Sequence, residues 1–251
     1  ITPRTRAVVA VHLFGQCVNM EAVQAVADRH GLAVIEDCAQ SHGARRHGKV
    51  AGSLSDAAAF SFYPTKILGT YGDGGMVLTG REDVAAKLKK LRFYGMEKTY
   101  YALEHGYNSR LDEIHAAILR GKLKHLPDYI ARRQALAARY DAALADTALT
   151  LPVTAAGNAH AYYLYVVRHP RRDAVMAGLK ERGVNVNISY PWPIHTMTGY
   201  AHLDYKEGDL PHTEQAAKEI FSLPMYPSLA DAEQDTAIAA LRETLAALGD
   251  A

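Results

Sequence analysis

Four side chains between positions 37 and 66 are of the types that together hold an anionic, nitrogen-bearing aromatic cofactor. Asp37 closes the apolar stretch Ala33-Val34-Ile35-Glu36, and Gln40 stands three residues on. Ser61 and Lys66 follow a second apolar stretch, and Gly72-Asp73-Gly74-Gly75 lies just beyond. A carboxylate can keep a proton on a pyridine nitrogen, and an amide can donate to a phenolic oxygen. A hydroxyl can take a phosphate, and a lysine amine can act as nucleophile and proton carrier. The glycines let the backbone come close to a ligand. Pyridoxal phosphate makes all of these demands at once, because its protonated ring is an electron sink for the carbanion left when a substrate α-proton departs. Each residue alone also has a plain structural reading: a solvated lysine, an aspartate capping the next turn, a serine bonded to backbone, and hairpin glycines. The coincidence of all of them distinguishes the stretch.

The elements that must position these groups read as strand, helix and strand. A strand from Ala7 to Phe14 ends at Gly15, Asn19 caps a helix from Met20 to His30, and Gly31 terminates it before the strand at Ala33. Continuous apolar strands with a helical crossover predict a parallel sheet, with Asp37 at a carboxyl end, where open α/β sheets place ligands. Ala57 to Phe62 reads as a third strand that stops before Pro64, and Met76 to Thr79 as a fourth. A helix opens at Glu82, an irregular aromatic loop spans Tyr94 to Tyr107, and Ser109 is expected to cap a helix reaching Leu126. Pro127 then opens an alanine-rich helix to about Ala145. Beyond it, Tyr162 to Arg168 and Val184 to Tyr190 read as strands, and Arg171 to Arg182, Thr213 to Phe221 and Ala230 to Leu248 as helices. The expected division is 1–126 for the cofactor-binding domain and 127–251 for a linking helix with a small C-terminal α/β domain.

Composition narrows the partners. The chain has 251 residues and a formal net charge of +1, which gives no electrostatic footprint for nucleic acid or a membrane surface. Two cysteines, Cys17 and Cys38, argue against a disulfide framework and for a cytoplasmic setting. The histidines lack the helical spacing of metal ligands, so no metal is expected. No stretch is apolar for long enough to span a bilayer. The chain opens Ile1-Thr2-Pro3 and enters a strand almost at once, which suggests that an N-terminal portion is missing.

Taken together, Val34 to Gly43, Gly52 to Asp56, Phe60 to Lys66 and Gly72 to Val77 resemble the signature blocks of the DegT-type nucleotide-sugar aminotransferases. Gly106 to Glu113, Tyr190 to His195 and Ser222 to Pro227 agree, so the resemblance runs in order through essentially the whole chain. It implies a fold-type-I, aspartate aminotransferase-like transferase: a mostly parallel sheet with helices on both faces, plus the small C-terminal domain. The family's Gly-Thr phosphate loop and stacking aromatic residue lie before the point where this sequence starts.

The resemblance also implies roles. Lys66 is the lysine that bonds to the aldehyde of pyridoxal 5'-phosphate, Asp37 pairs with the pyridine nitrogen, Gln40 meets the ring oxygen, and Ser61 binds the phosphate. Asn108 reaches the phosphate of a neighbouring subunit's cofactor, which implies a homodimer with shared active sites. Substrates would be L-glutamate and a nucleotide-linked keto-sugar, with the sugar among Tyr63, Tyr101 and His195. Many relatives carry His before the Tyr-Pro pair, where this chain has Ser189. The stretch Asn187 to Trp192 resembles members that aminate C3 of a dTDP-3-keto-6-deoxyhexose. The alternatives are a 4-aminotransferase, a 3-dehydratase and a non-enzymatic regulatory relative. Dehydratases of this type carry histidine in place of Lys66, and regulatory relatives usually bring a DNA-binding domain, of which no basic helix is evident here.

Overall fold

A computed structural model describes residues 1–250. The chain divides into two compact units, one formed by Ile1–Ala131 with Thr154–Tyr163, the other by Arg132–Val153 with Leu164 onward. The division falls inside the long helix rather than at its start, and a ten-residue segment around position 158 returns to the first unit.

In the first unit the elements are β1 (Ala7–Val11), α1 (Met20–His30), β2 (Ala33–Asp37), β3 (Arg45–Arg46), β4 (Lys49–Val50), β5 (Ala57–Ser61), β6 (Gly75–Leu78) and α2 (Glu82–Leu91). There follow β7 (Met96–Lys98), β8 (Tyr101–Ala102), α3 (Glu113–Leu123), the first part of α4 (Leu126–Leu144) and β9 (Asn158–Ala159). The main sheet has the order β1-β2-β5-β6, with β1, β2 and β5 parallel and β6 antiparallel at the edge. Val11, Asp37 and Ala59 stand in one register across the parallel strands. Asn19 Oδ1 accepts the Ala22 N–H (3.0 Å) and Gly31 ends α1 in the left-handed region, so α1 is capped at both ends as its residues predict. Its buried Met20 and Ala27 pack on Ala10 of β1 and Val34 of β2.

β1 is shorter than expected. His12 turns its ring into the interior, and the chain then leaves the sheet through a 3-10 turn at Leu13–Gly15 in which Phe14 has φ 59° and Gly15 φ 106°. Two other expectations also yield to local geometry. Ser109 does not cap α3: its N–H donates to the Arg92 carbonyl (3.0 Å), and Asp112 occupies the cap position. The aromatic stretch after Tyr94 is a short hairpin, β7 with β8, rather than a loop.

Behind the carboxyl end of β2 lies a buried carboxylate. Glu36 and its partner His12 are both fully buried, with His12 Nε2 2.8 Å from Oε2. Oε2 also accepts the Gly52 N–H (2.7 Å), while Oε1 accepts the Leu54 N–H (2.8 Å) and the Ser55 hydroxyl (3.0 Å). Because His12 Nδ1 accepts the Val18 N–H (3.2 Å), Nε2 carries the proton and donates to Glu36. Burial alone raises the Glu36 pKa, yet the bonds from His12, Gly52, Leu54 and Ser55 outweigh it and hold the carboxyl below its ordinary value. Asp56 continues the clamp, accepting the Val34 N–H at Oδ2 (2.9 Å).

The second unit holds the rest of α4, then β10 (Tyr165–Arg168), α5 (Arg172–Glu181), α6 (Pro211–Glu219), β11 (Ile220–Leu223) and α7 (Asp231–Ala247). β10 and β11 pair antiparallel. Its core includes the Tyr140 and Tyr165 rings, 4.9 Å apart, with Leu179, Phe221 and Leu241 fully buried. Gln234 is fully buried and donates to the Leu136 carbonyl (2.7 Å). The strand expected over Val184 to Tyr190 reduces to one bridge, Asn187 with Ser222, because Tyr190 takes φ 70° just before Pro191 and breaks any ladder. No helix of the described residues is long and apolar enough to cross a membrane.

Glu36→Ala should strand four donors at once and destabilise the first unit by about 3 to 5 kcal/mol, read by urea unfolding. Since the folded carboxyl is depressed, its contribution is complete above the ordinary glutamate range and disappears as pH falls below it. The acid limb of stability below about pH 4 should therefore flatten in Glu36→Gln. An unchanged limb would contradict this reading of the carboxylate.

Candidate functional site

Register places the two anchors. Asp37 of β2 pairs with Ala59 of β5, and Ser61 is two residues beyond Ala59, so Asp37 and Ser61 lie on one face at the carboxyl end of adjoining parallel strands. Directly opposite Ser61 on β6 stands Gly75, which contributes no side chain there. A Cβ on Gly75 would come within 2.9 Å of the Phe60 carbonyl oxygen. Asp37 Oδ1 accepts the Ala39 N–H (3.0 Å), which leaves Oδ2 as the acceptor that a protonated ring nitrogen requires. Ser61 Oγ accepts the Tyr63 N–H (3.2 Å), and its own proton remains available to an anionic oxygen.

Lys66 sits on a tight turn after β5. The Lys66 N–H donates to the Tyr63 carbonyl (2.9 Å), the Thr70 N–H to the Phe62 carbonyl (2.8 Å), and Lys122 Nζ to the Gly69 carbonyl (2.5 Å). Gly69 is required by close approach: a Cβ there would lie 2.6 Å from the Pro64 carbonyl oxygen and 2.7 Å from that of Tyr63. Ile67 and Leu68 are buried beneath the turn, while Lys66 is partly exposed with Nζ 4.7 Å over the Tyr163 ring.

Gln40 is buried, and its Oε1 accepts the Phe14 N–H (2.6 Å), which orients the amide so that the NH2 end is the donor. The side chains gathered here, a carboxylate, an amide, a hydroxyl facing a glycine and an amine, are of the types that pyridoxal phosphate requires.

The remaining candidates are placed differently. Tyr63 is exposed beside Ser61, and Tyr101 is exposed in β8. Asn108 is exposed, bridges to Phe93 and accepts from Arg110 Nε (3.1 Å). His195 belongs to the second unit, where it is buried with Nε2 2.9 Å from Glu214 Oε1. Glu214 also accepts the N–H groups of Gly208 (2.9 Å) and Leu210 (3.3 Å), and the bond from His195 together with these holds its carboxyl below the ordinary range. The pair is thus a knot that pins the 206–214 segment, which the Pro-rich context of His195 does not reveal.

Two buried groups near the site have no obvious sequence signal. His42 lies tilted against Phe60 and Phe62 (centroids 5.5 and 6.1 Å), and burial, with the Lys66 charge adding to it, pushes its pKa down to about 4. It is therefore a neutral ring at physiological pH. His12, Glu36 and Cys38 offer ligand atoms within 4.8 Å of one another. The hydrogen bonds to Glu36 and the Val18 N–H on His12 already use that geometry, and burial pushes the Cys38 thiol up to about 12.

Comparison with known proteins gives a consistent result. The model of the DegT/DnrJ/EryC1/StrS aminotransferase family matches residues 1–242. The chain is 57% identical over 254 residues to a dTDP-3-amino-3,4,6-trideoxy-alpha-D-glucose transaminase of Micromonospora megalomicea subsp. nigra, covering 99% of this chain and 68% of that protein. It is 45% identical over 246 residues to a pleiotropic regulatory protein of Geobacillus stearothermophilus, covering 97% and 66%. The crystal structure of S. venezuelae DesV in complex with a ketimine intermediate superimposes with TM-score 0.95 at 46% identity, covering 97% of this chain and 66% of that one. The chain thus spans about two thirds of the length of these relatives.

Glu214→Ala should release the Gly208 and Leu210 amides, whose hydrogen exchange is expected to accelerate on the order of tenfold or more. Exchange elsewhere in the second unit should hold. Protection that survives in the variant would show that the segment is pinned by something other than the His195 and Glu214 knot.

Proposed function

The chain belongs to the DegT/DnrJ/EryC1/StrS aminotransferase family, and from that premise we propose that it moves an amino group from L-glutamate to a nucleotide-linked keto-deoxysugar. The site carries this reading through one observation: Asp37 and Ser61 share one face at the carboxyl end of adjoining parallel strands, with the Lys66 turn following and no side chain opposite Ser61. The name of the Micromonospora relative, a dTDP-3-amino-sugar transaminase, supports C3 of a dTDP-linked 3-keto-6-deoxyhexose as the position aminated.

In this proposal Asp37 Oδ2 holds the proton on the pyridine nitrogen, the Gln40 NH2 donates to the ring oxygen, and the Ser61 hydroxyl donates to the phosphate. When bound, pyridoxal phosphate supplies the conjugated electron sink for the carbon that loses its proton. Lys66 provides the amine for covalent attachment, and the same amine carries the proton from the substrate carbon. The neutral His42 ring beside Phe60 and Phe62 helps close the layer beneath the Ser61 strand to water.

The homodimer belongs to the same proposal, with Asn108 reaching a second copy's phosphate. In its support, Asn108 is exposed in a segment that also exposes Tyr101, Tyr107 and Ile114. Tyr63 and Tyr101 are proposed to face the sugar. His195, held by Glu214, is proposed to act on the sugar through the shape of its loop. Two free, buried thiols accord with a cytoplasmic setting. A second reading, a cofactor-binding regulator without turnover, is favoured by the name of the Geobacillus relative.

Incubation with glutamate and a panel of dTDP- and GDP-linked 3-keto and 4-keto sugars, read by product mass, separates the two. The expected result is nitrogen incorporated at C3 of a dTDP-sugar. Lys66→Ala should lower that rate by about 10²-fold or more, and borohydride should trap the cofactor on the Lys66 peptide of the unsubstituted protein. An equal adduct in intact Lys66→Ala would sink the lysine assignment, and bound cofactor with no turnover on any sugar would favour the regulator.

A further inference from the structure

Tyr163 is 98 residues from Thr65 in sequence, yet its hydroxyl lies 3.3 Å from the Thr65 hydroxyl and its ring lies 4.7 Å from Lys66 Nζ. Two contacts from one remote side chain to consecutive residues of the lysine turn call for an explanation in terms of how the segment around Tyr163 is held.

That segment is fixed before it reaches Lys66. Asn158 Nδ2 donates to the Cys17 carbonyl (2.8 Å), and the Ala161 N–H donates to the Gly15 carbonyl (2.9 Å). The Tyr162 ring stacks on His160 at 4.0 Å and 9°, its N–H donates to His160 Nδ1 (2.8 Å), and Tyr162 takes φ 46°. A left-handed non-glycine residue is retained only where its surroundings over-determine it. Gly15 closes the circuit, because a Cβ there would lie 2.8 Å from the Tyr163 nitrogen and 3.3 Å from the Gln40 carbonyl oxygen. Phe14, the neighbour of Gly15, donates to the Gln40 side chain. One continuous set of contacts therefore runs from Gln40 through Phe14 and Gly15 to Tyr163 and Lys66.

We propose that Tyr163 is a positioning residue for Lys66: its ring face is the seat of the free lysine ammonium, and its anchorage to Gly15 ties the place of that ammonium to the place of Gln40. An aromatic face attracts an ammonium through its quadrupole, and the attraction is directional toward the ring centre. This use of the seat rests on the cofactor reading above. A lysine that is both attachment point and proton carrier spends part of each turnover as a free amine, and the seat returns it to one location.

The test uses the protein as it stands and needs no turnover. Acetylation of Lys66 by limiting acetic anhydride is followed by peptide mass, with Lys89 and Lys180 as internal references. Tyr163→Leu should label Lys66 roughly two- to fivefold faster relative to those references, and Tyr163→Phe should match the unsubstituted protein. Should Tyr163→Leu lose its cooperative urea transition, Tyr163→Met serves as the ringless variant. Equal labelling in the ringless and unsubstituted proteins overturns the proposal. So does Tyr163→Phe labelling as fast as Tyr163→Leu, which would assign the hold to the hydroxyl and Thr65. In parallel, borohydride trapping of added pyridoxal phosphate on Lys66 should slow in the ringless variant only. Trapping absent from every protein, the unsubstituted one included, would overturn the cofactor reading while the acetylation result still decides the role of Tyr163.

Discussion

Everything at the proposed site stands on the buried Glu36 carboxylate. A charge with no exposure to water persists only when its oxygens are saturated, and here His12, Gly52, Leu54 and Ser55 do so from both sides of the chain. The consequence is geometric. Glu36 is the residue immediately before Asp37, so the polypeptide that receives its bonds cannot move without moving the strand end that presents Asp37. The same clamp fixes the run from Gly52 to Asp56, which leads directly into β5 and Ser61. Gly52 takes φ 93° to present its N–H, and a Cβ there would meet the Phe60 ring at 2.5 Å.

How far all this was visible in the residues depended on how local each cause is. The strand ending at Asp37, α1 with its Asn19 and Gly31 caps, and the strand carrying Ser61 follow from apolar periodicity and capping chemistry within a dozen residues. Glu36 was not recognisable as a hub, because its partners arrive from 24 residues before and up to 19 after. Tyr163 gave no signal at all, since its meaning lies in contacts across 98 residues. Ser109 has the side chain of a cap, but backbone pairing of its N–H to Arg92 takes it out of the cap position. Val184 to Tyr190 has strand-like composition, but Tyr190 and the prolines after it leave room for only one bridge. His195 has the polarity of a ligand contact and the environment of a buried, hydrogen-bonded pair with Glu214, and composition reports only the first.

The two units use the same means to order an irregular segment. In the first, backbone amides converge on a side-chain carboxylate and glycines permit the close approach. In the second, Glu214 does the same for Gly208 and Leu210, with His195 as third partner. Both knots pair a histidine with a glutamate that also accepts two main-chain N–H groups, so each carboxylate serves as a folding template for a loop with little regular structure of its own.

Gly15 has one more consequence, for anyone recombining this chain with its relatives. Because no side chain fits between Gly15, the Gln40 carbonyl and the Tyr163 backbone, the residues around 14–17, 38–40 and 158–163 form one inheritance block despite their separation in sequence. A chimera whose crossover separates the last of these from the first two would join surfaces that were shaped against different partners. Exchanging Thr154–Tyr163 together with the second unit would therefore move a segment that belongs, structurally, to the half left behind.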